Sequence, residues 1–287
     1  MGYPLALVVS GYGWLGSLRR HSALESLSFI SDIGPAVFDS YDLNPGQVST
    51  LRTLRIGNSR LKMGPASPAL FPNLTHLTIR RREDQYPLED VYKTDPMDIL
   101  ALLEGSARLE DISLDDDIRS MELKVLPPPT RTIDLPFLRR IGVRWGDGLL
   151  LLQHLSWPPS AYVGLYGSVE GEMVEGTYEM KCIEDDDISH LASHVRADPD
   201  APIEAIEFEK YNDVLCVAGL QNRSVRFLLD LVTWDFTGTD HTLGAIGRAL
   251  PLSDVQTAKT SLRTFAQPML SILCFLQCLP QLQNLIV

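Results

Sequence analysis

The sequence predicts an α/β fold in which short parallel strands form one sheet, with helices and loops behind it. Three observations lead there: a short apolar phrase that recurs along the chain, prolines at its leading edge, and capped apolar helices between copies. The phrase is plainest in FPNLTHLTI (71–79), LPFLRRIGV (135–143) and LPQLQNLIV (279–287). Each reads Leu or Phe, Pro, x, Leu, x, x, Leu or Ile, x, then an apolar β-branched residue. Looser copies lack the proline: Leu24/Leu27/Phe29, Leu51/Leu54/Ile56, Leu109/Ile112/Leu114, Ile203/Ile206/Phe208 and Val255/Ala258/Thr260. SAYVGLYG (160–167) and VRFLLDLVTW (225–234) fit the longer gaps as further units, the second of them between the 203 and 255 copies.

The pattern has a physical cause. Its last two apolar residues are two apart, so on a strand they face one side, and the first sits at the incoming bend and points the same way. One such strand cannot bury its face alone, but stacked parallel copies share a continuous core. Between copies, Asp95 can cap a helix opened by Pro96 and stopped at Gly105. Asp147 can cap GLLLLQHL (148–155), Asp187 ISHLASHV (188–195) and Asp240 HTLGAIGRAL (241–250), while Pro268 opens MLSILCFLQCL (269–279). Strands alternating with helices imply parallel pairing with helices on one face.

This is an irregular leucine-rich-repeat solenoid, with the sheet on its concave face and helices and loops on the convex face. The asparagine or cysteine that marks regular repeats is mostly missing; the nearest fit is Ser59, after Leu54 and before Leu61. One array is expected over 1–287, truncated at both ends. The acidic segment 168–187 interrupts it between an N-terminal half (1–167) and a C-terminal half (188–287).

The net charge of −12 excludes a protein that coats nucleic acid, which needs a basic face. No apolar stretch is long enough to span a bilayer. Four scattered cysteines (182, 216, 274 and 278) read as reduced thiols and place the chain in the cytoplasm or nucleus.

The residues between the core positions point away from the core, and there a protein partner should bind. They are Arg55; His76, Thr78 and Arg80; Asp111, Ser113 and Asp115; Arg140 and Arg144; then Glu207, Glu209, Thr257 and Lys259. The first half thus carries basic, acidic and again basic rungs, with Trp145, Tyr162 and Tyr166 near strand ends as aromatic anchors.

The segments 135–165 and 227–262 resemble the C-terminal leucine-rich regions of the large fungal F-box protein families. In that family an N-terminal F-box docks on the adaptor of a cullin-type ubiquitin ligase and the repeats select a substrate. The resemblance therefore implies a substrate-recognition region. No F-box-like helix pair stands before Leu24, so the adaptor is a partner only if an F-box is encoded upstream.

Two alternatives differ in class. Gly11-x-Gly13-x-x-Gly16 follows an apolar run and has the form of a dinucleotide fingerprint, which would make the chain an NAD(P)-dependent oxidoreductase. Only Leu15 to Ser22 is available for its helix before the next repeat, and no second βαβ unit with long helices follows. A truncated paralogue without stable function is the other. His190/His194 and Cys274/Cys278 have one-face helical spacing without further ligands, which favours a solvated face and core packing over metal. No cofactor is expected, and nothing indicates catalysis.

Overall fold

The computed structural model describes residues 6–10, 24–31, 36–64, 70–80, 94–115, 132–144, 151–168, 171–174, 177–180, 202–211, 214–221, 224–232, 247–248, 250, 252–260 and 275–286. The chain is α/β, with a mostly parallel sheet that does not close into a barrel. It divides into two compact units, Met1–Pro158 and Pro159–Val287.

In unit 1, the main strands are β1 (Ala6–Ser10), β2 (Ser26–Ile30), β4 (Thr53–Gly57), β6 (His76–Arg80), β7 (Asp111–Asp115) and β9 (Arg140–Arg144). Each pairs in parallel with the next, in chain order. The shorter strands β3 (Ala36–Asp39) and β5 (Ser59–Lys62) pair in parallel behind them, as do β8 (Ile133–Asp134) and β10 (Leu155–Ser156).

The register puts the recurring phrase in rows. Leu27, Leu54, Leu77, Ile112 and Ile141 stand side by side, and so do Phe29, Ile56, Ile79, Leu114 and Val143. Leu24, Leu51, Leu74, Leu109 and Leu138 occupy the bend ahead of each strand. No residue of these three rows is more than 2% exposed. The strands thus share one apolar spine, and Phe29 joins it to the second layer by an edge-on contact with Phe38 at 5.5 Å.

A turn sets each bend. The Leu74 N–H donates to Phe71 O at 3.2 Å, and Leu51, Leu109 and Leu138 repeat that bond to Val48, Ser106 and Leu135. Pro72 and Pro136 fall at the second turn position, where a fixed φ suits a type I turn. Val48 and Ser106 show that the turn forms without proline. Ser106 replaces the apolar side chain, and its hydroxyl donates to Leu102 O at 2.8 Å. Beyond the turn, a single carbonyl receives two N–H groups of the next rung: Glu25 O takes Arg52 and Thr53, Arg52 O takes Thr75 and His76, Thr75 O takes Glu110 and Asp111, and Glu110 O takes Arg139 and Arg140.

The expected helix after Asp95 is present as α2 (Pro96–Glu104), following the single turn α1 (Pro45–Val48). Asp95 Oδ1 accepts from Met97 N–H at 2.8 Å, Pro96 opens the first turn, Ile99, Leu100, Leu102 and Leu103 are buried, and Gly105 ends the helix. Residues at its start also satisfy the backbone of β5. Leu61 N–H donates to Thr94 Oγ1 and Met63 N–H to Asp98 Oδ1. Gly64 lies so close to the Tyr41 ring that a Cβ there would sit 2.7 Å from it.

Three expectations need correction. The helix over 148–155 does not run its length: Leu151 and Leu152 are helical, but the chain turns at Gln153–His154 and Leu155–Ser156 become β10. Pairing overrides local propensity here, because Ile133 N–H and Leu135 N–H need acceptors and find them in His154 O and Ser156 O. VRFLLDLVTW does not lie between the 203 and 255 copies, as described below. Nor does a helix stand behind every strand. Among the described residues of unit 1, α2 is the one helix longer than a turn, and short strands and turns fill the other places.

Unit 2 holds β11 (Tyr162–Ser168), the hairpin β12 (Gly171–Val174) and β13 (Thr177–Met180), then β14 (Ala205–Tyr211), β15 (Val214–Gln221), β16 (Ser224–Val232), β17 (Thr257–Thr260) and β18 (Asn284–Ile286). The hairpin falls within the acidic segment 168–187. β11 pairs in parallel with β16; β16, β15 and β14 form an antiparallel meander; β14, β17 and β18 are parallel again. VRFLLDLVTW therefore contributes β16 between β11 and β15, on the far side of β14 from β17. Two residues separate β14 from β15 and β15 from β16, too few for a parallel crossover, so these strands must turn back as hairpins. The turn bond and the shared acceptor recur: Val255 N–H donates to Leu252 O, and Glu204 O takes Gln256 and Thr257. Ile206 and Ala258 are fully buried neighbours. Gly247 packs under Phe275 and Cys278, where a Cβ would lie 3.0 Å from the Cys278 sulfur.

Asn58 links three rungs. Its φ of 51° is left-handed, a conformation asparagine tolerates better than most residues. Its side-chain Nδ2 donates to Ser31 O at 3.2 Å and its backbone N–H to Arg80 O at 3.0 Å. The hydroxyl of Ser59, the nearest fit in sequence to the marker position, donates to Gly57 O at 2.9 Å, two residues away.

Two predictions follow from the shared spine and its clasp. Leu77→Ala will cost about 2–5 kcal/mol in urea unfolding, whereas Thr78→Ala on the same strand will stay within about 0.5 kcal/mol. Equal costs would break the idea of a one-sided core. Asn58→Ala will destabilise more than Asn58→Gly, by about 1 kcal/mol, because both lose the bond to Ser31 but only alanine is strained at this φ.

Candidate functional site

Because the apolar rows turn one way, the alternate residues of the unit 1 strands form an open sheet face. It has three rows. The leading row runs Ser26, Thr53, His76, Asp111, Arg140; the middle row Ser28, Arg55, Thr78, Ser113, Gly142; the trailing row Ile30, Gly57, Arg80, Asp115. Arg55, His76, Arg80 and Arg140 are exposed, while Thr78, Asp111 and Ser113 are half-buried. Arg144 is the last residue of β9. The structure thus brings Arg55, His76, Thr78, Arg80, Asp111, Ser113, Asp115, Arg140 and Arg144 onto consecutive strands of one sheet, with Asp111 in register between His76 and Arg140.

Sequence reasoning did not single out Gly142, Ser28 or Thr53, which share this face. Their signal was present, since each sits between core positions of its repeat, but small residues carry no charge to attract notice. It also passed over the residues just before the strands. There Glu110 and Arg139 approach at 3.6 Å, exposed enough for water to weaken the pair. Thr75 Oγ1 donates to Arg52 O at 3.0 Å and also contacts His76 Nδ1 at 2.9 Å, which steadies the imidazole at the edge of the face. Along the turns, Asn73 donates to Ser49 O at 2.7 Å and accepts from Arg108 at 2.9 Å. Asn73 is therefore part of a rung-to-rung contact.

In unit 2, Glu207 and Lys259 stand in register on β14 and β17, and their side chains pair at 3.2 Å. Both were expected to face a partner; they neutralise one another across the strands, both partly exposed. Thr257 is half-buried beside them, and Glu209 stands in register with Cys216 of β15. Tyr162, half-buried, opens β11, and Tyr166 stands in register with Asp230. Trp145, the glycines 11, 13 and 16, His190, His194, Asp187 and Cys274 lie outside the described residues.

Two titratable groups among the described residues of unit 1 are displaced. Burial pushes the Asp98 carboxyl above its ordinary value of 3.8, against the opposing effect of the Met63 N–H it accepts; the Asp95 carboxylate adds to the rise. Burial also lowers His154 from 6.5. Asp98 lies at the start of α2, away from the open-face rows. Among the described residues no three His, Cys, Asp or Glu side chains gather as metal ligands, and no helix is long and apolar enough to cross a membrane.

The Asp98 shift makes stability depend on pH. The folded chain holds the Asp98 proton more tightly than the unfolded chain, so its contribution is full below pH 3.8 and is lost as pH rises through the raised value. Asp98→Asn keeps an acceptor for Met63 N–H and removes the titration. Its melting temperature will gain on the wild type as pH rises from about 4 to 7; a gap that stays constant across that range would remove Asp98 as the cause.

No family model matches the chain, and no curated protein matches it significantly.

Proposed function

We propose that the chain is a non-catalytic protein-interaction module, an irregular leucine-rich-repeat solenoid that holds a protein partner on the open face of its strands. The observation that carries the reading is the register: successive strands repeat the same outward positions and set Asp111 between His76 and Arg140, so charge of both signs is displayed on a backbone clamped from rung to rung. Such a surface favours a partner of complementary charge, acting mainly on specificity and on-rate. The resemblance of 135–165 and 227–262 to F-box-associated repeats supports the narrower reading, a substrate-recognition region of an F-box-type ubiquitin ligase receptor working in the cytoplasm or nucleus. The ligase adaptor would then bind through an F-box encoded in the same frame.

The oxidoreductase reading has less support. Dinucleotides bind where strand order reverses in an open α/β sheet. In unit 1 the order β1, β2, β4, β6, β7, β9 advances one way throughout.

Peptide display against the purified chain tests the module. Peptides selected on the wild type will lose about tenfold or more in affinity on an Arg55→Glu/Arg140→Glu variant and keep it when the α2 residue Glu104 is changed to Gln. Selected binders indifferent to the open-face pair would overturn the assignment of the binding face.

A further inference from the structure

We infer that unit 1 binds an acidic peptide segment laid in extended form over the interval between β4 and β6, with carboxylates on alternate residues, one facing Arg55 and the next but one facing Arg80. The inference rests on the interaction reading above and names the chemistry of the partner.

Charge complementarity points to this place. The chain carries a net charge of −12, yet the outward positions of β2, β4 and β6 hold no acid. Arg55 stands at the centre of that ground, with Ser28 in register on one side and Thr78 on the other. Cations elsewhere are matched: Lys62 pairs with Asp39 at 3.0 Å, Lys259 with Glu207 at 3.2 Å, and Arg139 approaches Glu110 at 3.6 Å. Arg55 and Arg80 are exposed, and among the described residues no such pair reaches either of them. Asp115 is in register with Arg80, but it belongs to β7, across β6 from the interval.

The two arginines stand on opposite banks, one row apart. In the middle row Arg55 of β4 faces the half-buried Thr78 of β6, and in the trailing row Gly57 of β4 faces Arg80 of β6. Each row thus sets one base opposite a small residue, which leaves room for a ligand chain between the banks. Beside Gly57 the floor is apolar, since a Cβ there would lie 3.2 Å from Ile30 Cγ1. A chain resting on that floor displaces water, and ion pairs strengthen as water leaves.

The offset fixes the spacing of the ligand. Successive rows are two residues apart, about 6.7 Å along a strand. In an extended ligand, residues i and i+2 point to the same side at that same separation, while i+1 points away. A peptide running along the strands therefore brings one carboxylate to Arg55 and the next but one to Arg80, each suited to the two-pronged contact between guanidinium and carboxylate. Two adjacent acids cannot both do so, because one of them faces solvent.

Fluorescence anisotropy with two labelled peptides of equal charge tests this. One carries Asp-Ser-Asp and the other Asp-Asp-Ser between identical capped glycine-serine flanks. The wild-type chain will bind the first about fivefold or more tightly than the second at low ionic strength, with both weakening in salt. Arg55→Gln and Arg80→Gln will each remove that preference. Lys62→Gln, which takes the same charge from the layer behind the sheet, will keep it. Equal binding of the two peptides, binding of neither, or a preference that survives both arginine changes overturns the inference. Its failure differs from that of the broader reading: display-selected peptides that respond to the open-face pair but lack alternate acids sink the inference alone, whereas peptides that ignore the face sink both.

Discussion

One carbonyl per rung holds this structure in register. Glu25, Arg52, Thr75 and Glu110 each accept two N–H groups from the strand that follows, immediately after a turn that has bent the chain inward. Register in a sheet is a matter of one residue, because a slip by one would move every leucine to water. The double acceptor fixes the register before the strand begins, and the apolar rows then penalise any other pairing. Glu204 and Gln256 repeat the arrangement in unit 2. The acceptors there and in unit 1 are Glu, Arg, Thr and Gln. Only backbone groups take part, so the side chain at this position is unconstrained, and the device leaves no mark in the sequence.

The open face inherits its order from that clamp. Charged side chains on separate loops would sample many arrangements, and a partner would have to order them at an entropic cost. Here the alternation of the strand orients them and the register spaces them. The cross-strand pair of Glu207 and Lys259 shows the other use of the same geometry. Opposite charges placed directly across from one another satisfy each other, and such a pair contributes little to stability while exposed. Whether a charge on this sheet faces a ligand or a neighbour therefore depends on what the adjoining rung puts beside it.

Much of the architecture was legible in the chain. The apolar phrase located β2, β4, β6, β7, β9, β14, β17 and β18, because a two-residue period on a one-sided strand leaves a pattern that survives irregular spacing. Asp95, Pro96 and Gly105 marked α2 because capping is local chemistry. The open-face residues could be named for the same reason, by alternation. Gly142 was passed over, since a residue without a side chain offers the alternation no chemistry to read. Asn58 was hidden one position ahead of the expected marker, and its contacts run to Ser31 and Arg80, in other rungs.

What the sequence determined by itself is thus the one-sidedness of the strands and the places where the backbone bends or is capped, since both depend on residues close along the chain. Tertiary structure alone decided the rest. Leu155 left its helix for a strand because the β8 backbone needed acceptors. The segment 224–232 went beside β11, not beside β17, because links of two residues force hairpins. Apolar periodicity states that a segment has a buried face, and it is silent about which neighbour buries it; that choice belongs to loop length and to backbone hydrogen bonds between residues far apart in the chain.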